Sequence, residues 1–431
     1  MMRGYWRMVK DVFSSSTIMS ISLTTMMYSL VQHAWNPFWP TYLKNNLGAT
    51  TVGIGIISAI SSAENMLFAL PGGILADRYG RKKIIVWGTF LRTFSPLIYL
   101  LAPSWEWIMI AALFNGMMSI YMPAFTATVA DSMPVNRRGT GYGVYSTITR
   151  LPNIFSPLIG GWAMDTYWYV DGLRTFLIIQ IGVSLLMVVV RWKFTQETMT
   201  KPVRRRGPTI SKEIITGQER PIQVMLLVAI IGSFSARLVM DFTNLYALEV
   251  LKLSNTQLGI VTTVAGAIST LIALPAGMLS DTYGRKNNIM VARLSNPVTQ
   301  WILAYATDYT GYSVARYING VAQAFGGGNQ TSGGPSWNAL IADIVPQEKR
   351  ATVIGTQNTL TAIVAMPSAV LGGWLWQAFS PQTPFMVSGL VGLVGATLFW
   401  LGVIEPTKEE KQERARELLH NDDASDTSKA T

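Results

Sequence analysis

Apolar runs long enough to cross a bilayer, which takes roughly 20 residues, recur along the chain between short polar breaks. They predict twelve helices, near residues 17–43, 52–76, 83–102, 106–130, 140–164 and 173–192, then 221–250, 256–280, 287–307, 312–342, 351–378 and 384–403. The expected fold class is an all-α membrane protein with twelve transmembrane helices. Residues 1–16 are too polar, and too short of an apolar run, for a cleaved signal peptide, so the first span is expected to stay as an anchor. Residues 193–220 are rich in Pro, Gly and charge and read as a linker, dividing the chain into 1–192, 193–220, 221–404 and a tail, 405–431.

Composition narrows the class further. Only 13% of the residues are charged and 49% are hydrophobic, where soluble proteins carry about 25% charged residues. The absence of cysteine excludes disulfides, thiolate catalysis and Cys-ligated metals, and two distant histidines, His33 and His420, make no metal site. No zinc motif, nucleophile elbow or usefully spaced acid pair suggests an enzyme, and no cofactor is expected.

The net charge of +10 would point to nucleic acid in a soluble protein. With the N-terminus placed inside, 26 of the 34 Lys and Arg residues fall in inner segments, counting Arg191 with the linker. Three (Lys44, Arg174, Lys252) fall in outer loops and five (Arg92, Arg150, Arg237, Arg293, Arg316) within spans. This asymmetry follows the positive-inside rule, so a multi-pass protein of the cell membrane with both termini cytoplasmic is expected, with no nucleic-acid partner. The run Arg204, Arg205, Arg206 then reads as a loop facing lipid headgroups.

An internal repeat is the strongest feature. Leu70-Pro71-Gly72-Gly73-Ile74-Leu75-Ala76-Asp77-Arg78-Tyr79-Gly80-Arg81-Lys82 returns 204 residues later as Leu274-Pro275-Ala276-Gly277-Met278-Leu279-Ser280-Asp281-Thr282-Tyr283-Gly284-Arg285-Lys286. A second echo, Pro123 to Asp131, Pro134 and Arg138 against Pro335 to Asp343, Pro346 and Arg350, is offset by 212. Eight extra residues therefore lie between Gly320 and Pro335, where the Gly-rich run around Asn329 and Gln330 sits.

This pattern resembles the major facilitator superfamily over residues 17–404, closest to its drug-efflux-like bacterial and archaeal members. The family's loop signature, G-x-L-a-D-r-x-G-r-k, is matched by Gly73, Leu75, Asp77, Arg78, Gly80, Arg81 and Lys82, and again by Gly277, Leu279, Asp281, Gly284, Arg285 and Lys286. The resemblance implies two pseudo-symmetric six-helix bundles, a small-molecule substrate near the midplane and alternating access by rocking of the halves. A monomer in the lipid bilayer is expected.

The loop makes physical sense as a latch. An anion at a helix end, as at Asp77, is unfavourable unless compensated, so a partner on the opposite half is expected. Gly73 admits a close neighbour and Gly80 a tight turn. Arg81 with Asp131 or Arg138 would extend a charge network, with Asp343 and Arg350 as its second copy.

Ionisable residues inside spans are costly and are functional candidates. At ~1.5 Å per residue, Glu64 and Arg150 lie roughly 20 and 18 Å deep and Arg92 roughly 14 Å. By the resemblance, spans two and five flank the cavity and span three is peripheral, which makes Glu64 and Arg150 cavity residues and Arg92 a counter-ion. Glu64 aligns with Ile268, so the repeat itself needs no carboxylate there.

Arg237 and Asp241, four apart, share a helix face, where they neutralise each other or line the path with His33, Gln32 and Asn36. Asn115 is similarly placed, and Trp35 and Trp39 are the tryptophans suited to stacking on a substrate. A helix over 312–342 would measure roughly 46 Å against a ~30 Å core, so the tenth span is expected to be broken, with Asn329 and Gln330 at the break.

The stretch Asn153 to Gly161 resembles the antiporter signature G-P-x-x-G-G, although Ser156 replaces its first glycine. The Arg-x-x-x-Gly spacing of such members is absent from span four, where Ala112 stands four before Gly116, and occurs at Arg316 and Gly320. Proton-driven efflux of lipophilic or amphipathic compounds is the first expectation. Uptake or exchange of an anionic metabolite, favoured by five intramembrane arginines, is the second, and a non-transporting receptor the third.

Overall fold

The computed structural model describes residues 15–132, 145, 149, 151–198, 220–326, 335–345, 347–403 and 405. Among these the chain is helical without strands, and the twelve spans follow one another as two six-span bundles. Six stretches are each long and apolar enough to cross a membrane: Arg81–Leu101, Tyr169–Phe194, Arg220–Glu249, Asn255–Ser280, Thr352–Ala378 and Thr383–Gly402.

The repeat is legible in how the spans start and stop. Spans two and eight are helices Thr51–Tyr79 and Asn255–Tyr283. The first is opened by the Thr50 hydroxyl accepting from the Gly53 amide, the second by a capping box of Ser254 and Gln257. Each stops at a glycine in the left-handed region, Gly80 at φ 93° and Gly284 at φ 95°, a backbone that side chains resist.

Spans one and seven are interrupted at the same repeat position. Span one runs Ser16–Trp35, a 3-10 turn Asn36–Phe38, then Trp39–Asn45, with Pro37 and Pro40 withholding backbone donors. Span seven runs Arg220–Val239 and resumes at Phe242–Glu249, with Asp241 as the N-cap residue of the second piece. Span ten is broken as its length demanded: Tyr309–Ala324 stops before Gly326, at φ 74°, and helix returns at Pro335–Ile344.

A third echo joins the two found in the sequence. Ser156 to Gly160-Gly161-Trp162 in span five matches Ser368 to Gly372-Gly373-Trp374 in span eleven. In each pair the first glycine packs inside its own half. A Cβ on Gly160 would stand 1.7 Å from the Ala34 carbonyl oxygen, and one on Gly372 2.1 Å from that of Leu238. The second glycine packs across the halves: a Cβ on Gly161 would stand 2.2 Å from the Asn255 carbonyl oxygen and one on Gly373 2.2 Å from that of Thr51. Gly55 against Ala369 and Gly259 against Pro157 repeat the arrangement from the opposite helices.

These contacts lie at the end of the bundle opposite the signature turns, here called the far end. An apolar core shared by both halves fills it, with Trp35, Phe38 and Tyr42 against Phe242, Tyr246 and Trp376. Toward the signature end each half keeps its own core, around Ile21, Ile85 and Phe125 in the first and Leu226, Ile289 and Trp337 in the second. A Cβ at Gly277 or Gly355, on that side, would meet open space.

One basic residue is misplaced by the sequence reading. Arg191 belongs to the helix Tyr169–Phe194, not to the linker, and is only 1% exposed. Its guanidinium donates to the hydroxyls of Thr24, Thr25 and Thr89 at 3.2, 3.0 and 2.9 Å and lies 5.3 Å from the centroid of the Phe125 ring. Hydroxyls and an aromatic face replace the water that counting by helix ends had assumed.

Candidate functional site

A cavity of about 190 Å³ opens where the break in span one turns its aromatic residues inward. Span one contributes Tyr28, Gln32, Trp35, Asn36 and Trp39 to its wall, and span two contributes Ser58 and Ser61. Tyr99 and Ser95 close it from span three, Asn115 from span four and Gln180 from span six. Among the described residues a single lining residue comes from the second half, Asp241.

The aromatic wall is rigidly held. Trp39 packs on Tyr99 with ring centroids 4.6 Å apart and against the edge of Trp35 at 5.3 Å, while the Trp35 indole donates to Gln180. Asn115 donates to the Tyr99 hydroxyl at 2.6 Å, so it ties two helices together and lines the cavity at once. Two buried polar atoms that line this space have no hydrogen-bond partner among the described residues: Ser95 Oγ and Asp241 Oδ2.

The structure assembles part of the set expected from the sequence. Asn36, Asn115 and Asp241 line the cavity, with Trp35 and Trp39. Glu64, 3% exposed, is one turn beyond Ser61 toward the signature end. Arg92 stands behind the wall, donating to Tyr121 at 2.9 Å and Gln32 at 3.3 Å with its guanidinium 3.8 Å from the Tyr28 ring centroid. Arg150, Asn329 and Gln330 lie outside the described residues.

Two expectations are corrected. His33 does not line the cavity; its ring is exposed and bonds the Ser29 carbonyl one turn back, at 2.8 Å. Arg237 and Asp241 form no ion pair, because the helix stops at Val239 and the four-residue register that would align them is lost. Arg237 instead crosses to the first half, donating to Ser62 at 2.7 Å, and contacts the sulfur of Met240. Tyr28, Tyr99, Ser58, Ser61, Ser95 and Gln180 had not been picked out; the serines at helical spacing on one apolar span were the available signal.

At the signature end each turn is tied within its own half. Arg81 pairs with Asp131, and the Glu197 carboxylate accepts from the backbone amides of Arg81 and Lys82 at 3.1 and 3.0 Å. The second copy pairs Arg285 with Asp343 at 2.5 Å, and Glu405 accepts from the amides of Arg285 and Lys286 at 3.1 and 2.8 Å. Both glutamates use the orphan donors and positive dipole of a helix start. They were missed because Glu197 and Glu405 are 208 apart, off both offsets found in the sequence. Arg350 donates to the Ala342 carbonyl at 2.7 Å. Arg138, the surroundings of Gly73, and the side chains of Asp77 and Asp281 lie outside the described residues.

The far end is sealed by polar groups as well. Lys44 pairs with Glu249 at 3.1 Å, Asn45 donates to the same carboxylate at 2.6 Å, and Thr51 donates to the Gly373 carbonyl at 2.8 Å. Asp165 caps span eight from the opposite half, accepting from the backbone of Asn255 and Thr256 at 3.2 and 2.7 Å and from the Asn255 amide group at 2.8 Å. Partial burial opposes its charge, but these hydrogen bonds outweigh it and hold its carboxyl below the usual Asp range. A lowered value means the contact is at full strength above about pH 3.9, the ordinary Asp pKa, and is lost as pH falls through the lowered one. Spin labels on cysteines at Asn46 and Phe379 are thus expected to hold a short distance at neutral pH and to separate in strong acid. Asp165→Asn should lose its share of that transition and keep only the part supplied by Glu249 on Lys44 and Asn45; an unchanged transition would show that Asp165 does not hold the seal.

Comparison with known proteins agrees with this architecture. The family model described as Major Facilitator Superfamily matches residues 21–318 and 225–424. The multi-drug resistance efflux pump PmrA of Streptococcus pneumoniae is 24% identical over 318 residues, covering 72% of this chain and 77% of its own. The multidrug resistance protein MdtG of Dickeya zeae is 23% identical, covering 90% of this chain and 93% of its own. The crystal structure of the nucleoside transporter NupG superposes with a TM-score of 0.67 at 14% identity, over 89% of this chain and 98% of that one, a likeness of fold. Repeat, twelve-span architecture and family model coincide, and the chain belongs to the Major Facilitator Superfamily.

Proposed function

We propose that this superfamily member is a secondary transporter that exports a small organic solute from the cytoplasm in exchange for protons, with both termini on the cytoplasmic side. The observation that carries the reading is the cavity, walled by the first half and closed by Asp241 of the second, beneath a sealed far end. A solute bound there touches both halves, which is what coupling occupancy to rocking requires. The names of PmrA and MdtG, an efflux pump and a multidrug resistance protein, support the outward direction. The support that five intramembrane arginines lent to an anionic metabolite is weakened: Arg92 and Arg237 are bound to hydroxyls, an amide or an aromatic face, Arg293 lies against Trp337 and Phe399, and neither these nor Arg316 line the cavity, while Arg150 lies outside the described residues.

Glu64 carries the proton in this reading, being a buried carboxylate one turn from the cavity wall. The experiment is solute flux in proteoliposomes with and without a pH gradient, for wild type and Glu64→Gln. Wild type is expected to accumulate solute against its gradient when protons flow the other way. Glu64→Gln should keep solute exchange and lose pH-driven accumulation. Accumulation persisting in the variant removes Glu64 from the coupling step, and no solute movement by wild type in any gradient removes the transport reading.

A further inference from the structure

The cavity also specifies a ligand chemistry. Among the described residues its one charged lining residue is Asp241, whose carboxylate is hydrogen-bonded by Ser58 and keeps Oδ2 buried without a partner. The nearest basic side chain on its own span, Arg237, is committed to Ser62 across the halves. An unsatisfied buried carboxylate oxygen calls for a strong donor. The opposite wall offers the faces and edges of Trp35, Trp39 and Tyr99, which attract a cation through their ring quadrupoles and shelter an apolar body.

Two cations lie near the wall and neither lines it: Arg237 attracts the Asp241 carboxylate through space while its hydrogen bond goes to Ser62. Arg92 reaches the cavity only through Gln32 and Tyr28, and its charge is spent on Tyr121, Gln32 and the Tyr28 ring. Size sets a second limit. About 190 Å³ is smaller than the ~300–1,000 Å³ of pockets for drug-sized ligands.

We infer that the cavity binds a small organic ammonium ion, of about one ring with a short side chain, its amine on Asp241 and its apolar body against Trp39 and Tyr99. Asn115 and Ser95 stand beside that body as hydrogen-bonding groups for a ring substituent. The inference rests on reading this cavity as the solute site of the proposed transporter.

Three probes of nearly one shape separate charge from size: 2-phenylethylamine, 2-phenylethanol and phenylacetate, titrated calorimetrically into the purified full-length protein in detergent. The amine is expected to bind at least about tenfold more tightly than the alcohol, with phenylacetate weakest. Asp241→Asn should weaken the amine by about thirtyfold or more, as loss of a buried charged partner does, and weaken the alcohol much less, since only a neutral hydrogen bond changes there. Equal binding of the amine and either other probe overturns the inference, and so does an Asp241→Asn variant with wild-type amine affinity. The wild-type ranking needs no variant, so it decides alone should Asp241→Asn fail to fold. An amine bound with the expected ranking by a protein that moves nothing in proteoliposomes sinks the transport reading and leaves the ligand class standing.

Discussion

Replacing Gly161 and Gly373 together by alanine is expected to unseal the far end of the molecule without unfolding either half. Each new methyl would stand 2.2 Å from a backbone carbonyl oxygen of the other half, Asn255 or Thr51, far inside the ~3.5 Å of ordinary contact. A carbonyl inside a helix cannot swing aside as a side chain does, so the strain is relieved by moving the halves apart. Overpacking costs about 1–3 kcal/mol per site. Two sites together approach the ~5.5 kcal/mol that carries a two-state equilibrium from 99:1 to 1:99. A cysteine introduced at Asn36, in the cavity wall, should then react with a membrane-impermeant maleimide added from the far side. The neighbouring glycines supply the control. Gly160→Ala and Gly372→Ala strain contacts within one half, to Ala34 and Leu238, and should lower folding yield without raising that reactivity. Equal effects from the two pairs would mean that the seam is not what the second glycines protect.

Truncation of Arg191 is the second large effect. The side chain is fully buried and bridges spans one, three and six through Thr24, Thr25 and Thr89. Arg191→Ala removes hydrogen bonds to a charged group, each worth about 1.5–3 kcal/mol, and leaves a hole the size of a long side chain. A loss of about 3 kcal/mol or more is expected, visible as an early loss of monodisperse protein on heating in detergent. Arg191→Met fills the hole and buries no charge. Two of the threonines are not stranded by it, since Thr24 and Thr89 also donate to their own helix at Ser20 and Ile85, and the third, Thr25, is only half-buried. Met should therefore recover more than half of the loss. Wild-type thermal behaviour of Arg191→Ala would show the buried arginine to be dispensable for folding.

The spans were legible because burial in lipid requires long apolar runs, and the pseudo-symmetry because two loops keep the same residues. The cavity was only partly legible. Asn36, Asn115 and Asp241 stand out in an apolar span as costly polar residues, whereas Tyr28 and Tyr99 look like any aromatic in a core. The Arg237 and Asp241 pairing failed because four-residue spacing implies a shared face only while the helix continues, and the backbone breaks between Val239 and Phe242.

Arg191 was hidden for another reason: its counterpart has changed helix. In the second half the buried guanidinium belongs to Arg293 of span nine, the repeat position of Thr89, and lies 4.9 Å from Trp337, the repeat position of Phe125. At the 208-residue offset of the two glutamates, the place of Arg191 is taken by Phe399, 5.2 Å from Arg293. The same cation-on-aromatic contact is built from opposite walls, and linear alignment does not register it.

The carboxylates on the two signature turns also decide where this chain tolerates being cut or fused. Glu405 follows the last span, which ends at Gly402, and grips the amides of Arg285 and Lys286 more than a hundred positions upstream. A tag joined after residue 405 leaves that grip intact, whereas one joined at Val403 removes it and frees the turn at Gly284. The corresponding splice point in the first half falls after Glu197. Complementation of the two halves as separate polypeptides is accordingly best attempted with the break between residues 199 and 219, so that each fragment carries its own clamp.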